Sequence, residues 1–306
     1  MNATHGRPLP TTIPQYLEQL REALRGADPA MVQDALYDAE EYLRSELAEQ
    51  AGRDEAEVIA SVAGSYGAPE EVADIYRETE VTVNRALRPP RPPKRRSLLG
   101  RFFGVAADPY TYGALFYMLL SLATGVFYFT WVVTGVSTSV GLLILIIGVP
   151  LLLLFLLSVR LLSLVEGRIV EVLLGVRMPR RPPYTQRDKP WLTRIGELFT
   201  DGRTWTAMAY LLVMLPLGTA YFSATVTLLA VSLSLLVAPV AMAFGWTGPG
   251  IYLEGLHVAL AESWLGALLA FAAGLLLLFV TLHLARLVGH FHGWLAKHLL
   301  VRNPLV

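Results

Sequence analysis

Residues 142–157 read LLILIIGVPLLLLFLL, sixteen consecutive positions without a charged side chain. A helix that contains this run and extends from Ser137 to Leu161 rises about 1.5 Å per residue, which is enough to cross a hydrocarbon core of roughly 30 Å. Three more segments have the same apolar character: Tyr110–Thr134, Thr204–Leu228 and Trp264–Arg286. We therefore predict an all-α integral membrane protein with about four transmembrane helices.

The composition agrees with this fold class but is divided unevenly along the chain. Hydrophobic residues make up 54% of the sequence and charged residues 16%, and the mean hydropathy is +0.48. Residues 1–87 nevertheless hold 17 of the 25 acidic residues and only 7 basic ones. Because an acidic domain is repelled by phosphate backbones, direct nucleic-acid binding is not expected. The chain has no cysteine, which excludes disulfide bonds and thiolate chemistry.

The acidic front domain, residues 12–87, contains helix-starting residues that predict four short helices. Thr12 and Asp28 are suitable N-cap residues for the first two helices. Asp54 begins a capping box before the third helix, and Pro69 opens the fourth. Early prolines and charges argue against a cleavable signal peptide. We expect a small helical domain in the cytoplasm.

A proline- and arginine-rich linker, residues 88–97, separates this domain from the membrane domain, residues 98–302. Both predicted outer loops lack Lys and Arg, so four spans place every basic residue on one side. The positive-inside rule then predicts a bacterial cytoplasmic membrane protein with both ends in the cytoplasm. Residues 229–245 leave three alternatives open: an extension of the third helix, a re-entrant segment or an extra span. Charge placement disfavours the extra span.

The membrane domain contains an internal duplication, with one copy in residues 98–177 and the other in residues 191–302. Matched residues in the first span of each copy keep a constant offset: Thr111 and Thr204, Ala114 and Ala207, Tyr117 and Tyr210, and Gly125 and Gly218. Arg160 and Arg286 correspond at a larger offset, which predicts an insertion near residues 240–270. Two spans per copy give parallel repeats, which disfavours the inverted-repeat transporter design.

Three motifs of the membrane domain carry a resemblance to a known family. They are DPYTYGALFY at 108–117, GVPLL at 148–152 and LLGVR at 173–177. The region of about 95–302 resembles the sensor domain found ahead of many bacterial histidine kinases. This resemblance implies perception of an envelope or membrane signal.

The front domain carries a second resemblance through YLEQL at 16–20, EEYL at 40–43 and YGAPEEV at 66–72. It is similar to the helical HAAS-type domain of bacterial membrane proteins often associated with transcriptional regulation. The resemblance implies a signalling or protein-binding role. Only about twenty residues follow the last predicted span, which leaves no room for a kinase domain, so we expect output through a separate protein.

The outer loop of the second copy holds the candidate sensing residues Glu254, His257 and Glu262. Glu254 and His257 are spaced to share a helix face, and such a pair can bind a cation or respond to protons. A solvated loop also needs polar residues, and this plainer interpretation is favoured.

Four histidines near the end of the last span invite a metal or haem site; His283, His290 and His292 are the metal candidates, and His298 follows them. We favour an interfacial belt instead, since Trp294 and Lys297 lie among them. No metal or other cofactor is expected.

Two charged segments are assigned to the membrane surface. The first anchors the domain through cations that attract anionic lipid headgroups and through interfacial aromatic rings: Lys94, Arg95, Arg96, Arg101, Phe102 and Phe103. The second follows the second span and is expected to be a helix lying in the inner interface: Arg160, Glu166, Arg168 and Glu171.

No catalytic constellation, nucleotide-binding loop or pair of intramembrane carboxylates is visible in the sequence. We therefore predict a non-enzymatic sensor that detects an envelope or membrane state and relays it through the front domain to a cytoplasmic regulatory protein. Anionic lipids are a further expected partner, and a homo-oligomer is left open. The alternatives are a small-molecule or lipid transporter and a structural subunit of a membrane complex.

Overall fold

The structure is a computed structural model, and it describes residues 10–87, 97–145, 147–180, 196, 199–245, 250–253, 256–259 and 263–301. Within these ranges the chain is almost entirely helical, as predicted, apart from one short β-hairpin. The 88–97 linker lies outside the described residues except for Ser97, which caps the next helix.

The front domain consists of four helices close to their predicted positions: α1 (Ile13–Ala23), α2 (Pro29–Glu49), α3 (Glu55–Ser65) and α4 (Pro69–Leu87). Thr12 and Asp28 cap α1 and α2 as expected, through side-chain oxygens that accept from backbone amides. The capping box at Asp54 is not formed: among the described residues, its side chain makes no capping hydrogen bond. The neighbouring Glu55 carboxylate instead accepts a hydrogen bond of 2.8 Å from the Ile13 amide, which ties α3 to α1.

The four helices enclose a core of their own. Its fully buried side chains include Tyr16, Leu20, Leu43 and Ile59. The Tyr16 hydroxyl donates to the Gly67 carbonyl at 2.7 Å. Burial raises the pKa of Tyr16 above its usual value, so this hydroxyl stays protonated and remains a donor.

The membrane domain begins with the short helix α5 (Leu98–Phe103) and a 3₁₀ turn, Gly104–Ala107. Four long apolar helices then follow, with one short helix after the third: α6 (Pro109–Gly141), α7 (Gly148–Leu174), α8 (Gly202–Leu236), α9 (Ala238–Ala243) and α10 (Trp264–Leu300). The mean hydropathy of the long helices is 1.7 to 2.5 in their most apolar windows. The chain is therefore a multi-pass membrane protein, and the prediction of four spans is confirmed.

Several predicted boundaries are wrong. The first span is predicted to end at Thr134, yet α6 continues to Gly141 and the chain turns after it, beginning with a 3₁₀ turn at Leu142–Leu145. Gly135 allows the ring of Phe155 to pack against α6 and does not turn the chain, since a Cβ there would overlap that ring. The expected start of the second span at Ser137 therefore shifts to Gly148.

The segment 229–245 extends the third span. Helix α8 continues to Leu236, and α9 then follows with Pro239 in its first turn, where a proline is tolerated. The predicted insertion contains a two-stranded antiparallel hairpin, β1 (Gly250–Leu253) and β2 (Leu256–Ala259). In its register, Tyr252 is paired with His257.

Helices α6 and α8 approach each other backbone to backbone. A Cβ added to Gly125 would lie 2.5 Å from the carbonyl oxygen of Met214, and one on Gly218 would lie closer still to that of Ser121. Only glycine permits this approach. Helices α7 and α10 both pack against this central pair.

Two reciprocal ion pairs close the end of the bundle at which α6 and α8 begin. Arg160 of α7 lies 2.8 Å from Asp201, the N-cap of α8, and Arg286 of α10 lies 3.2 Å from Asp108, the N-cap of α6. Each pair joins one predicted copy to the other. Such reciprocity is expected of duplicated span pairs; the duplication itself stays a prediction.

Candidate functional site: a buried carboxylate and histidine within the bundle

A layer of polar side chains crosses the interior of the membrane domain. Each long helix contributes one member: Tyr117 from α6, Glu166 from α7, Tyr210 from α8 and His292 from α10. Each residue lies about two helical turns from the same end of the bundle. Their relative exposure is 0% or 1%, so the layer is closed to solvent and lipid alike.

The carboxyl group of Glu166 is surrounded by three tyrosine hydroxyls. Its Oε1 atom accepts from Tyr117 at 2.6 Å and from Tyr210 at 3.0 Å. Its Oε2 atom accepts from Tyr128 at 2.9 Å. A carboxyl group within a membrane protein is expensive to bury and usually marks a functional position. The three hydroxyls supply the polar contacts that water would otherwise provide.

His292 completes the layer on the side opposite Tyr128. Its Nε2 atom lies 2.5 Å from the Tyr117 hydroxyl and 2.8 Å from the Tyr210 hydroxyl. The two tyrosines therefore bridge the carboxyl group and the imidazole. The Nδ1 atom of His292 is buried and has no hydrogen-bond partner among the described residues.

The hydrogens of this layer have two consistent arrangements. Each tyrosine hydroxyl carries one hydrogen, so when both donate to Glu166 their oxygens accept from the Nε2–H of His292. In the opposite arrangement a tyrosine donates to a bare Nε2 atom and Glu166 carries a hydrogen of its own. When Nδ1 of His292 also carries a hydrogen, transfer of the Nε2 proton to a tyrosine oxygen, with that tyrosine's own hydrogen passing to Glu166, converts a carboxylate–imidazolium pair into a neutral pair.

The layer is asymmetric in one respect. Tyr128 and Tyr221 correspond in the predicted duplication, yet only Tyr128 donates to the carboxyl group. The Tyr221 ring packs edge-on against His292, with ring centroids 5.7 Å apart, and its buried hydroxyl has no hydrogen-bond partner within the part of the chain described. Among the described residues, the Glu166 carboxyl group therefore has three hydrogen-bonding tyrosines and the His292 imidazole has two.

Helix α7 leads from this layer to the front domain. It ends at Gly175, whose left-handed φ of 69° turns the chain, and Arg177 follows. The Arg177 guanidinium, with a side chain 10% exposed, lies 2.8 Å from Asp34 of α2 and 3.3 Å from Glu171 of α7. The Arg180 amide donates to the same Asp34 carboxylate at 2.7 Å.

A second contact joins the front domain to the last helix. Lys297 of α10 lies 2.5 Å from Asp28, the N-cap of α2. Next to it, Ala30 is fully buried in a cluster that includes Met178, Ala296 and Val301. The first two turns of α2 therefore form a docking face, which no local pattern in the sequence indicates.

The predicted outer sensing residues cannot be placed within this site. Glu254 and Glu262 lie outside the described residues, and only the backbone of His257 is described, in β2. Their sensing role stays a prediction.

The predicted surface anchor is described only in part. Lys94, Arg95 and Arg96 lie outside the described residues, and so does the side chain of Arg101. The Phe102 ring packs on His283, with centroids 5.3 Å apart, while Phe103 is 44% exposed. Phe103 is thus available to lipid, and Phe102 joins α5 to α10.

The candidate metal ligands have three different environments. His283 contacts the Phe102 carbonyl at 3.0 Å, and His290 is exposed and contacts the Arg286 carbonyl at 2.7 Å. His292 faces the interior, so the interfacial interpretation is wrong for this residue. Among the described residues, no group of three His, Asp or Glu side chains is arranged to hold a metal ion.

The interfacial helix predicted after the second span is also wrong. Residues 162–174 continue α7, and Glu166 within them is fully buried. A signal for this site was present in the sequence: the spacing that pairs Arg160 with Arg286 also pairs Glu166 with His292. Tyr117 and Tyr210 were already matched in the other spans. The four members of the layer are thus two pairs of corresponding positions.

Comparison with known proteins gives one family. A family model described as "Putative sensor" matches residues 117–300, which is more than half of the chain. The match begins at Tyr117 and includes Glu166, Arg177, Tyr210 and His292. No curated protein and no solved structure matches the chain.

Proposed function

The chain belongs to this sensor family, and we propose that its bundle detects a state of the membrane or envelope and relays it through the front domain to a cytoplasmic partner. The observation that carries the relay is the continuous path from Glu166 along α7 to Arg177 and then to Asp34. A displacement of α7 acts directly on the front domain, because only the turn at Gly175 separates the helix from the contact.

The polar layer has two protonation states, and a change from one to the other can cause such a displacement. The carboxylate–imidazolium pair and the neutral pair have different hydration requirements, so a stimulus that changes water access or the local field shifts their balance. Each state favours its own spacing between α7 and α10, since Glu166 and His292 lie on these two helices. Both helices also contact the front domain, through Arg177 and Lys297.

The orientation and partners are part of the same proposal. We place the docking end of the bundle, with the front domain, in the bacterial cytoplasm, as the distribution of basic residues predicts. The basic segment before α6 then lies at the inner leaflet, where it attracts anionic lipids. The front domain acts as a HAAS-like protein-binding module, and the whole chain acts without catalysis.

The relay predicts a specific effect of Arg177→Gln. Loss of the guanidinium leaves the Asp34 carboxylate without its closest ion pair, so the undocked population of the front domain is expected to rise about tenfold, or about 1.4 kcal/mol. Because the chain has no cysteine, spin labels can be attached to Ser61→Cys and His290→Cys, both at exposed positions. Double electron–electron resonance in nanodiscs then measures the distance between the two labels, and the distance distribution gives the docked and undocked populations.

Arg25→Gln is the matched control, because Arg25 pairs with Glu22 inside the front domain and makes no described contact with the membrane domain. It is expected to leave the distance distribution unchanged. Cross-linking of the full-length variants in cells should then show partner capture changing for Arg177→Gln alone. Identical partner capture by wild type and Arg177→Gln, despite a changed distance distribution, would contradict the relay.

A further inference from the structure

A cavity of about 360 Å³ lies where α7, α8 and the front domain meet. Gln33 of α2 contributes to its wall, Arg160 and Ser163 come from α7, and Arg203 comes from the first turn of α8. The cavity is separate from the buried polar layer.

One part of the cavity is suited to an anion. Arg160 and Arg203 both line it, and the Arg160 guanidinium is already held by Asp201 at 2.8 Å and Thr204 at 3.2 Å. A held guanidinium loses little side-chain entropy when it binds an anion, and its planar geometry matches phosphate oxygens. The Arg203 guanidinium donates to the Gln33 side-chain oxygen at 2.9 Å.

The remaining wall is apolar and continues onto the lipid-facing surface of α7. Leu157 and Leu161 line the cavity and are 46% and 64% exposed. Leu157 lies on the side of Arg160 away from the front domain and Leu161 lies next to Arg160, whereas Leu164 and Met178 form the wall nearer the front domain. A ligand with a phosphate between the arginines and a hydrocarbon chain along Leu157 and Leu161 satisfies both parts.

We propose that this cavity binds one anionic phospholipid, with its phosphate between Arg160 and Arg203 and one acyl chain along α7. Two guanidinium groups in the wall disfavour a purely apolar occupant, and the lipid-facing leucines favour a membrane lipid over a soluble anion. The site is distinct from the basic segment that precedes α6, because it lies within the fold.

Lipid binding at this position also reaches the front domain. A phosphate that accepts from the Arg203 guanidinium competes with Gln33 for the same donors, and so changes a contact between α2 and the bundle. This consequence rests on the proposed relay, whereas the binding site does not.

Native mass spectrometry of the full-length, delipidated protein in detergent tests the site. Phosphatidylglycerol is titrated against phosphatidylcholine with identical acyl chains, and glycerol 3-phosphate is the soluble competitor. We expect one phosphatidylglycerol to bind about tenfold more tightly than phosphatidylcholine, because phosphatidylcholine has the same phosphate but adds a quaternary ammonium that the two guanidinium groups repel. Millimolar glycerol 3-phosphate should not displace it.

Three variants test whether the preference for phosphatidylglycerol arises at this cavity. Arg203→Gln should abolish the tenfold preference, and Arg168→Gln, on the same bundle end but outside the cavity, should retain it. Ser163→Leu fills the cavity without changing charge and should weaken binding of both lipids, which keeps the test decisive if Arg203→Gln fails to fold.

Equal binding of both lipids, displacement by glycerol 3-phosphate, or an equal loss in Arg168→Gln would each overturn the proposed lipid site. The spin-labelled protein separates the two proposals. Specific phosphatidylglycerol binding that leaves the distance between the labels unchanged keeps the site and counts against the relay.

Discussion

Replacing Glu166 with leucine is expected to lower the free energy of unfolding by about 3 kcal/mol or more, since each buried hydroxyl left without an acceptor costs about 1–3 kcal/mol. The hydroxyls of Tyr117, Tyr128 and Tyr210 all lose this acceptor, and the Nε2 atom of His292 can replace it for only one of them. Glu166→Gln keeps one acceptor oxygen and should cost about 1 kcal/mol. Unfolding of the detergent-solubilised protein by a denaturing surfactant measures the difference.

The two outer tyrosines provide a matched control pair. Tyr128→Phe removes a hydroxyl bonded to Glu166 and should destabilise the bundle by about 1 kcal/mol. Tyr221→Phe removes a buried hydroxyl without a described partner and should be neutral or slightly stabilising. Equal effects of the two substitutions, or a Glu166→Leu protein as stable as wild type, would show that the hydrogen-bonded layer does not stabilise the bundle.

Gly218→Ala is expected to destabilise the membrane domain by about 3 kcal/mol, the upper part of the usual range for overpacking. The added methyl group would overlap the Ser121 carbonyl, which is backbone and cannot rotate aside. Helices α6 and α8 would have to separate, and the reach of Tyr117 and Tyr210 to the same carboxyl oxygen would be lost with them. Thermal unfolding in nanodiscs measures the effect.

Gly141→Ala is the control for this substitution. Gly141 is the last residue of α6, and nothing lies within 4 Å of an added Cβ. Alanine is favoured over glycine in a helix by roughly 0.5–1 kcal/mol, so this variant should be as stable as wild type or slightly more so. A Gly218→Ala protein that matches Gly141→Ala would show that α6 and α8 do not depend on close backbone contact.

The sequence predicted the elements of this fold better than their ends. Four apolar runs identify four spans, because a bilayer requires a minimum helix length. The same runs do not mark where a helix stops, since α7 continues past Arg160 on contacts with α6 and α8 that only the tertiary structure reveals. In the front domain, local caps mark the helix starts, and these predictions were close.

The candidate site was missed for the same reason. A second span that ends at Leu161 leaves Glu166 outside the membrane, where it has the features of an ordinary surface carboxylate. Its burial depends on three tyrosines from two other helices, which no local pattern encodes. Internal symmetry was the one usable signal, since it pairs Glu166 with His292 and Tyr117 with Tyr210. Glu166 and His292 differ in residue type, so matching identical residues between the copies does not find them.

The glycine contacts between α6 and α8 determine which parts of the bundle are free to move. Two helices whose backbones touch can neither rotate nor slide past one another without a clash, so this pair is a fixed axis. Helices α7 and α10 each touch this axis near one glycine: a Cβ on Gly113 would overlap the carbonyl oxygen of Leu173 in α7, and one on Gly274 of α10 would lie 2.9 Å from that of Ser232. These are also the helices that lead to Arg177 and Lys297. In the proposed relay, α7 and α10 therefore pivot about these two glycine contacts, and the front domain, which contacts both helices and also α8 through Gln33, follows their movement.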